Sequence, residues 1–195
     1  MSKPKDELAH LSGGADLDRR LPLSRLVLTG FMGAGKSAVG ALLARSLGWD
    51  FLDLDSVLEA SHGESIAETF RSRGESYFRR AERRALEQFH EKNRLVLALG
   101  GGTIEDAQVL SYILGWKETC LVFLDAPLSE LMGRIRGGPH TRPLLAKPEE
   151  LEARHQRRLP HYRAAHFTIL TTGLSQIEVA ARIIEIVSPA WEIGK

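Results

Sequence analysis

The chain has 195 residues, 43% of them hydrophobic and 26% charged, with 18 glycines; this is the composition of one ordinary globular domain and excludes a disordered, collagen-like or disulfide-scaffolded chain. Its 26 Lys+Arg against 25 Asp+Glu leave a net charge of +1, so there is no global field to hold a long polyanion, no nucleic-acid partner is expected, and any anion site must be local. A single cysteine, Cys120, forbids an intrachain disulfide, and apolar runs such as Leu95–Leu99 fall far short of the roughly 20 residues of a membrane span, so we expect a cytoplasmic protein with no membrane partner.

Residues 1–23 are charged, contain Gly and Pro and show no sustained period, which reads as a flexible tail; Asp6 and Glu7 stand where a secretory signal would carry its apolar stretch. Residues 24–188 read as one domain. Leu26-Val27-Leu28 is a short apolar strand running to Gly30, and Ser37–Leu47 has apolar residues at helical spacing with Gly48 as its stop. Phe51–Leu54 reads as a second strand, and residues 56–90 as helices interrupted near Gly63 and Gly74. Leu95–Leu99 is a third strand leading into Gly100-Gly101-Gly102, and Ile104–Leu114 is helical. Cys120–Leu124 has the unbroken apolar character of a strand covered on both faces. A helix over Leu128–Arg136 precedes a stretch of about residues 137–148 with two glycines and three prolines around His140, Arg142 and Lys147, which reads as a mobile lid. Glu149–Tyr162 is a polar helix, Phe167–Leu170 the last strand and Ser175–Val187 a closing amphipathic helix. Five strands alternating with helices predict an α/β fold.

Gly30-Phe31-Met32-Gly33-Ala34-Gly35-Lys36-Ser37 fits the phosphate-binding P-loop, G-x-x-x-x-G-K-[ST], and lies where it must, between a strand and a helix. The glycines let successive N–H groups of Gly33, Ala34, Gly35 and their neighbours face one point at a helix N-terminus. Lys36 reaches the β- and γ-phosphates of a nucleotide, and the Ser37 hydroxyl binds Mg²⁺. The loop is shared by GTPases, ATPases and kinases. No Asn/Thr-Lys-x-Asp guanine signature is found and the chain is short for a motor ATPase, which leaves a compact kinase with a lid.

Asp53-Leu54-Asp55 is read as the end of the second strand, where residues two apart share a side, so both carboxylates can face the crevice at the carboxyl ends of the strands. Asp53 then suits the metal, and Asp55 an acceptor hydroxyl's proton; alternatively one Asp caps the helix beginning near Ser56. Three glycines after a buried strand allow close approach of a ligand, or make a tight turn. The arginines between Arg71 and Arg84 read mostly as a solvated face, with one or two turned inward. The seven histidines show no ligand spacing, so no structural metal is expected.

Taken together, the P-loop, Asp53-Leu54-Asp55, Phe78-Arg79-Arg80, Gly100-Gly101-Gly102, Arg142-Pro143-Leu144-Leu145 and Arg158-x-Pro160-x-Tyr162 resemble the shikimate kinase family, over about residues 25–187. The resemblance implies a five-stranded parallel sheet flanked by helices, of the nucleoside-monophosphate-kinase type, with a mobile lid. It implies transfer of the γ-phosphate of ATP, with Mg²⁺, to the 3-hydroxyl of shikimate on the route to chorismate and aromatic amino acids. On this pattern the catalytic residues are Lys36, Asp55 and Arg142, the last from the lid. Gly33, Ala34, Gly35, Lys36, Ser37, Ala38 and Arg142 hold ATP, Asp55, Arg79, Gly101 and Arg158 hold shikimate, and Ser37 and Asp53 hold the metal. Arginine forks suit the single carboxylate of shikimate. A monomer is expected. Ala38 stands where Ser or Thr is commoner and Ile169-Leu170-Thr171 where Val-Asp-Thr is frequent; Thr172, Gly173 and Leu174 lack the Arg or Gln often found on the adenine side, and Arg134 and Arg136 are both candidates to stack on adenine. Two other readings stay open: a relative acting on another polyol acid or a nucleotide, and a kinase-like sensing module without catalysis.

Overall fold

Residues 23–136 and 148–190 are described by the structure, a computed structural model. In chain order they form β1 (Arg25–Thr29), α1 (Lys36–Leu47), β2 (Asp50–Asp53), α2 (Leu54–His62), α3 (Ile66–Arg73), α4 (Glu75–His90), β3 (Leu95–Ala98), a 3₁₀ turn (Thr103–Glu105), α5 (Ala107–Leu114), β4 (Thr119–Asp125), α6 (Leu128–Arg136), α7 (Pro148–Arg163), β5 (Phe167–Leu170) and α8 (Gln176–Ala190). The strands make one parallel sheet in the order β2-β3-β1-β4-β5. All residues of β1 and β3 are buried, and so is β4 up to Asp125. Unbroken apolar runs therefore fill the middle of the sheet, which helices cover on both faces. The edge strands β2 and β5 are partly exposed and correspondingly mixed in sequence.

Glycine punctuates the helices. Gly48 and Gly63 end α1 and α2 in the left-handed region, at φ 67° and 68°, and Gly74 separates α3 from α4 at φ 78°, a conformation that costs any other L-residue energy. α3 starts with a reciprocal cap: the Glu68 N–H donates to Ser65 Oγ at 3.2 Å and Ser65 N–H to Glu68 Oε2 at 2.8 Å.

Several boundaries differ from expectation, each for a local reason. The stretch Ile104–Leu114 is not one helix: Asp106 accepts the Gln108 N–H at 2.8 Å and starts α5 afresh after the 3₁₀ turn. The strand expected over Phe51–Leu54 ends at Asp53, because the Asp53 carboxylate caps α2, which already includes Leu54. Pro148, placed at the end of the lid, is the first residue of α7, where its missing N–H costs nothing. Residues 137–147 of that expected lid lie outside the described residues, as do residues 1–22 of the expected tail; Leu23, assigned to the tail, is buried in the core.

Topology places the two glycine runs side by side. β1 is central, and its register pairs Leu28 with Ala98 of β3, while the Leu99 N–H donates to the Leu28 carbonyl at 2.9 Å. The loops leaving β1 and β3 therefore share the carboxyl edge of the sheet. The chain leaves β1 toward β2 and leaves β4 toward β5, so the edge between β1 and β4 is the switch point at which open α/β sheets bind ligands.

The opposite edge is held by a charge. Arg25, only 6% exposed, donates from Nε to Thr119 Oγ1 (2.8 Å), from Nη1 to the carbonyls of His90 and Lys92 (2.8 Å each) and from Nη2 to that of Lys117 (2.7 Å). One guanidinium thus closes the ends of α4 and of the turns entering β3 and β4. Burial lowers its pKa and nearby Glu118 and Glu91 oppose that. Truncation would strand several carbonyls as well as remove the cation. Arg25→Met is expected to cost about 2–4 kcal/mol in urea unfolding, with the glycine runs undisturbed, since Arg25 lies at the far edge of the sheet from them.

Candidate active site

The loop after β1 is shaped by what its glycines must avoid. Gly30, Gly33 and Gly35 have φ of 143°, 80° and 90°, and a Cβ on Gly30 would stand 2.6 Å from the Leu124 carbonyl oxygen. One on Gly33 would stand 2.7 Å from the Leu131 carbonyl and 2.9 Å from Ile135 Cγ1. The loop is thus wedged between the end of β4 and α6, leaving α1 to present its N-terminus at Gly35 and Lys36. Ala34 is buried and Ala38 half-buried. Lys36 Nζ donates to the carbonyls of Gly30 (2.8 Å) and Phe31 (3.2 Å), which folds the ammonium back over the loop.

Ser37 Oγ, exposed on the first turn of α1, donates to Asp53 Oδ2 at 2.5 Å. A hydroxyl and a carboxylate side by side at the mouth of a phosphate loop are the hard oxygen donors that Mg²⁺ takes, with its remaining positions left to water and phosphate. Asp53 also accepts the Ser56 N–H at 3.3 Å, so the helix-capping aspartate is Asp53 and not Asp55. Contrary to the expectation from the sequence, Asp53 and Asp55 therefore do not share one side of a strand. Asp55 sits in the first turn of α2 and reaches the second glycine run: a Cβ on Gly100 would meet its Oδ1 at 2.5 Å.

Two arginines close on the same run. A Cβ on Gly102 would stand 2.8 Å from Arg158 Nη2 and 3.1 Å from Arg79 Nη2, and one on Gly101 would stand 3.4 Å from Arg158 Nη1 and 3.8 Å from the Gly30 carbonyl of the P-loop. The three glycines are therefore neither only a tight turn nor only open space: they are where a carboxylate, two guanidiniums and the phosphate loop come within reach of one another. The short hydrogen bond from the Tyr162 hydroxyl to the Gly101 carbonyl, 2.5 Å, fixes the run from below, and the ring stacks on Phe123. Burial pushes the Tyr162 phenol up to about 12, so it stays a donor throughout the working range.

Each arginine is held by a carboxylate that sequence reasoning missed. Arg79 Nη1 donates to Glu82 Oε2 at 2.6 Å and to the Gly102 carbonyl at 3.3 Å, and the Glu82 side chain, 3% exposed, also accepts from Thr103 Oγ1 at 2.8 Å. Burial raises the Glu82 pKa, with Arg79 and Thr103 opposing it and Asp55 adding to it. For Arg79 burial works against the charge, but Glu82 and Glu75 outweigh it and raise its pKa. A signal for Glu82 existed: it shares the buried stripe of α4 with Phe78, Ala85, Leu86 and Phe89, a charge at a core position. Glu105, in the 3₁₀ turn, accepts from Arg158 Nε at 2.8 Å and from Arg157 Nε at 2.9 Å. Burial tends to raise its pKa, but these two cations hold it below the ordinary carboxylate range. Nothing local in the sequence marks the pair of Glu105 and Arg158, whose members are 53 residues apart.

Around this centre, His155 of α7 packs edge-on against Phe31 of the loop, ring centroids 5.1 Å apart, and Arg158 lies over the same ring. Arg134 donates to Thr171 Oγ1 (3.0 Å), to the Thr171 carbonyl (2.9 Å) and to Glu130 (2.6 Å), which occupies it with the turn after β5. Arg142 lies outside the described residues. Cys120 is buried in β4, its thiol pushed up to about 12 by burial. Among the described residues no helix is long and apolar enough to cross a membrane.

The family model for shikimate kinase matches residues 32–188. The chain is 40% identical over 174 residues to the shikimate kinase of Thermus thermophilus, covering 88% of this chain and 94% of the other. It is 37% identical over 164 residues to that of Persephonella marina, covering 83% and 98%. Among solved structures it resembles shikimate kinase from Acinetobacter baumannii in complex with shikimate, with a TM-score of 0.80 at 32% identity, covering 92% and 99%.

Two histidines give the molecule a pH dependence whose sign follows from their surroundings. Burial lowers the pKa of His155, against the pull of Asp125, and that of His166, whose Nδ1 accepts the Leu121 N–H at 2.9 Å. Both bind protons less readily folded than unfolded, so stability is complete at neutral pH and falls as pH drops through the ordinary histidine range near 6.5. Urea midpoints are expected to fall between pH 7.5 and 5.5, and by a smaller amount in His155→Leu.

Proposed function

The chain belongs to the shikimate kinase family, and on that premise we propose that it transfers the γ-phosphoryl group of ATP to the 3-hydroxyl of shikimate, giving shikimate 3-phosphate and ADP on the route to chorismate and the aromatic amino acids. The observation that carries this reading is the convergence of Arg79, Arg158 and Asp55 on Gly100–Gly102 directly beside the P-loop. A pair of guanidiniums is a seat for a carboxylate, an adjacent aspartate suits ring hydroxyls, and the phosphate loop adjoins the same glycines.

The reaction divides among the residues as follows. N–H groups of Gly33, Ala34, Gly35 and the first turn of α1, through Ser37 and Ala38, cradle the phosphates, and the dipole of α1 adds to their potential. Lys36 exchanges its bonds to the Gly30 and Phe31 carbonyls for the β- and γ-phosphate oxygens, an exchange between partners already within one side chain's reach. Arg79 and Arg158 take the shikimate carboxylate, and the Gly101 N–H takes a hydroxyl. Asp55 accepts the proton of the 3-hydroxyl as its oxygen bonds to the γ-phosphorus and the bond to the bridging oxygen of ADP breaks. Ser37 and Asp53 would hold Mg²⁺, which when bound neutralises charge on the phosphate oxygens. Arg142 closes over the phosphates from the Arg142-Pro143-Leu144-Leu145 segment and excludes water, a role assigned on the family pattern. We read residues 24–188 as a monomeric catalytic unit working in the cytoplasm, a setting that suits a chain with one thiol, buried at Cys120.

Purified protein with ATP and Mg²⁺ is expected to release ADP when shikimate is present, and not with gluconate, AMP or no acceptor; preference for gluconate or AMP would remove the roles given to Arg79 and Arg158, and binding without ADP release would favour a sensing module. Asp55→Asn is expected to lower kcat by about 100-fold or more with the fold intact, as read by circular dichroism alongside turnover. Gly100→Ala has an ordinary backbone but places a methyl 2.5 Å from Asp55 Oδ1, so we expect it to displace that carboxylate and cut kcat at least tenfold while leaving ATP affinity unchanged.

A further inference from the structure

We propose that Glu105 is a positioning residue that sets the direction in which Arg158 presents its guanidinium, and through it the enzyme's affinity for the carboxylate of its acceptor. The inference rests on the reading that Arg158 binds that carboxylate. An arginine fork has two edges that can take a carboxylate, the Nε–Nη side and the Nη1–Nη2 end. Glu105 Oε2 accepts from Nε at 2.8 Å and lies 2.8 Å from Nη2, so it occupies the side edge. Nη1 and Nη2 then point along the glycine run, toward the positions a Cβ would take on Gly101 and Gly102.

The carboxylate is suited to hold without neutralising. Its second oxygen, Oε1, is taken by Arg157 Nε at 2.9 Å, so two cations share one anion and the cluster retains a positive charge for the substrate. The Glu105 side chain is 19% exposed and that of Arg158 12%, so the pair is partly shielded from solvent, whereas Arg157 at 66% is in water. Among the described residues the guanidinium also lies over the Phe31 ring, 5.9 Å from Cζ, an uncharged and weaker contact. Without Glu105 the long stem of Arg158 regains rotamer freedom, and the substrate must order it at its own expense. Glu105 also lies on the turn that directly follows Gly102, whose carbonyl accepts the Glu105 N–H at 3.2 Å, so the anchor of the arginine is tied to the glycine run it faces.

The test is steady-state ADP release with shikimate for the wild type, Glu105→Gln, Glu105→Asp, Arg158→Met and the double variant Glu105→Gln/Arg158→Met. For Glu105→Gln we expect the KM for shikimate to rise about tenfold, the loss of a charge-assisted hydrogen bond, with kcat and the KM for ATP within about twofold of wild type. Glu105→Asp, which keeps the charge on a shorter stem, is expected to recover part of the loss. In the Arg158→Met background, adding Glu105→Gln should leave kcat/KM for shikimate unchanged, because the route of its action is already gone; this slope is measurable even where saturation is out of reach. An unaltered or lower KM in Glu105→Gln overturns the proposal, the latter by making Glu105 a competitor of the substrate. So does an equal penalty with and without Arg158, or a rise in the KM for ATP matching that for shikimate, either of which marks a general loss of structure. A wild-type enzyme that ignores shikimate overturns the functional reading itself, and that result is visible before any variant is compared.

Discussion

Every approach at the carboxyl edge of the sheet depends on side chains that are not there. β1 and β3 lie in parallel register, and the chains leaving them must occupy neighbouring space while leaving room for two substrates. Gly30 can pass the Leu124 carbonyl, and Gly33 can lie on α6, only without a Cβ, and Gly100 and Gly102 admit Asp55 and the two arginines on the same terms. At Gly30 and Gly33 the requirement is also conformational, because both have positive φ. At Gly100 and Gly102 it is purely one of space. Alanine there would fit the backbone and displace the functional groups, so fold and function make separable demands on the same run.

The second constraint is electrostatic. A site that binds an anion with two guanidiniums must keep those cations apart and aimed while it is empty. Glu82, itself held by the Thr103 hydroxyl, holds Arg79 from the buried side of α4, and Glu105 holds Arg158 from the turn after the glycines. The two carboxylates differ in kind: the pKa of Glu82 is raised by its burial, and that of Glu105 is lowered because two arginines outweigh its milder desolvation. Protonating Glu82 loosens one arginine, and the other keeps its anchor to lower pH. On the proposed reading, the carboxylate of the acceptor thus meets two arginines whose orienting cost has been met in folding.

How much of this was legible depends on the range of the interaction. The central strands were readable because burial on both faces leaves unbroken apolar runs, and Gly48, Gly63 and Gly74 marked helix ends through backbone conformation alone. Edge strand β2 was misjudged by one residue at each end, since its half-exposed pattern looks the same on either side of Asp53. The one-residue difference decides how the two aspartates are placed: Asp53 caps a helix and Asp55 rides on its first turn, so helix geometry, not strand alternation, brings them to the site. The P-loop, Asp55, Arg79 and Arg158 were readable as a motif series. Glu105 and Arg25 were not, because each acts on partners more than fifty residues away, and no local period marks a charge whose use is set by tertiary packing.

α6 links the two ends of the nucleotide-binding edge. One part of it, Leu131 and Ile135, forms the surface against which Gly33 of the P-loop lies. Another, Glu130 and Arg134 one turn apart, grips the turn after β5 through the Thr171 hydroxyl and carbonyl, and that turn is itself tied to the end of β4 by the Thr171 N–H on the Asp125 carbonyl at 2.8 Å. The phosphate loop and the turn that stands across the β1–β4 switch point are therefore spaced by one rigid helix. Arg134, with both Nη1 and Nη2 bonded to protein groups, serves that spacing, whereas Arg158 is anchored by Glu105 along one edge and turns the other along the glycine run. On the proposed reading, the same residue type is thus divided by its partners into scaffold at one end of the sheet edge and substrate seat at the other.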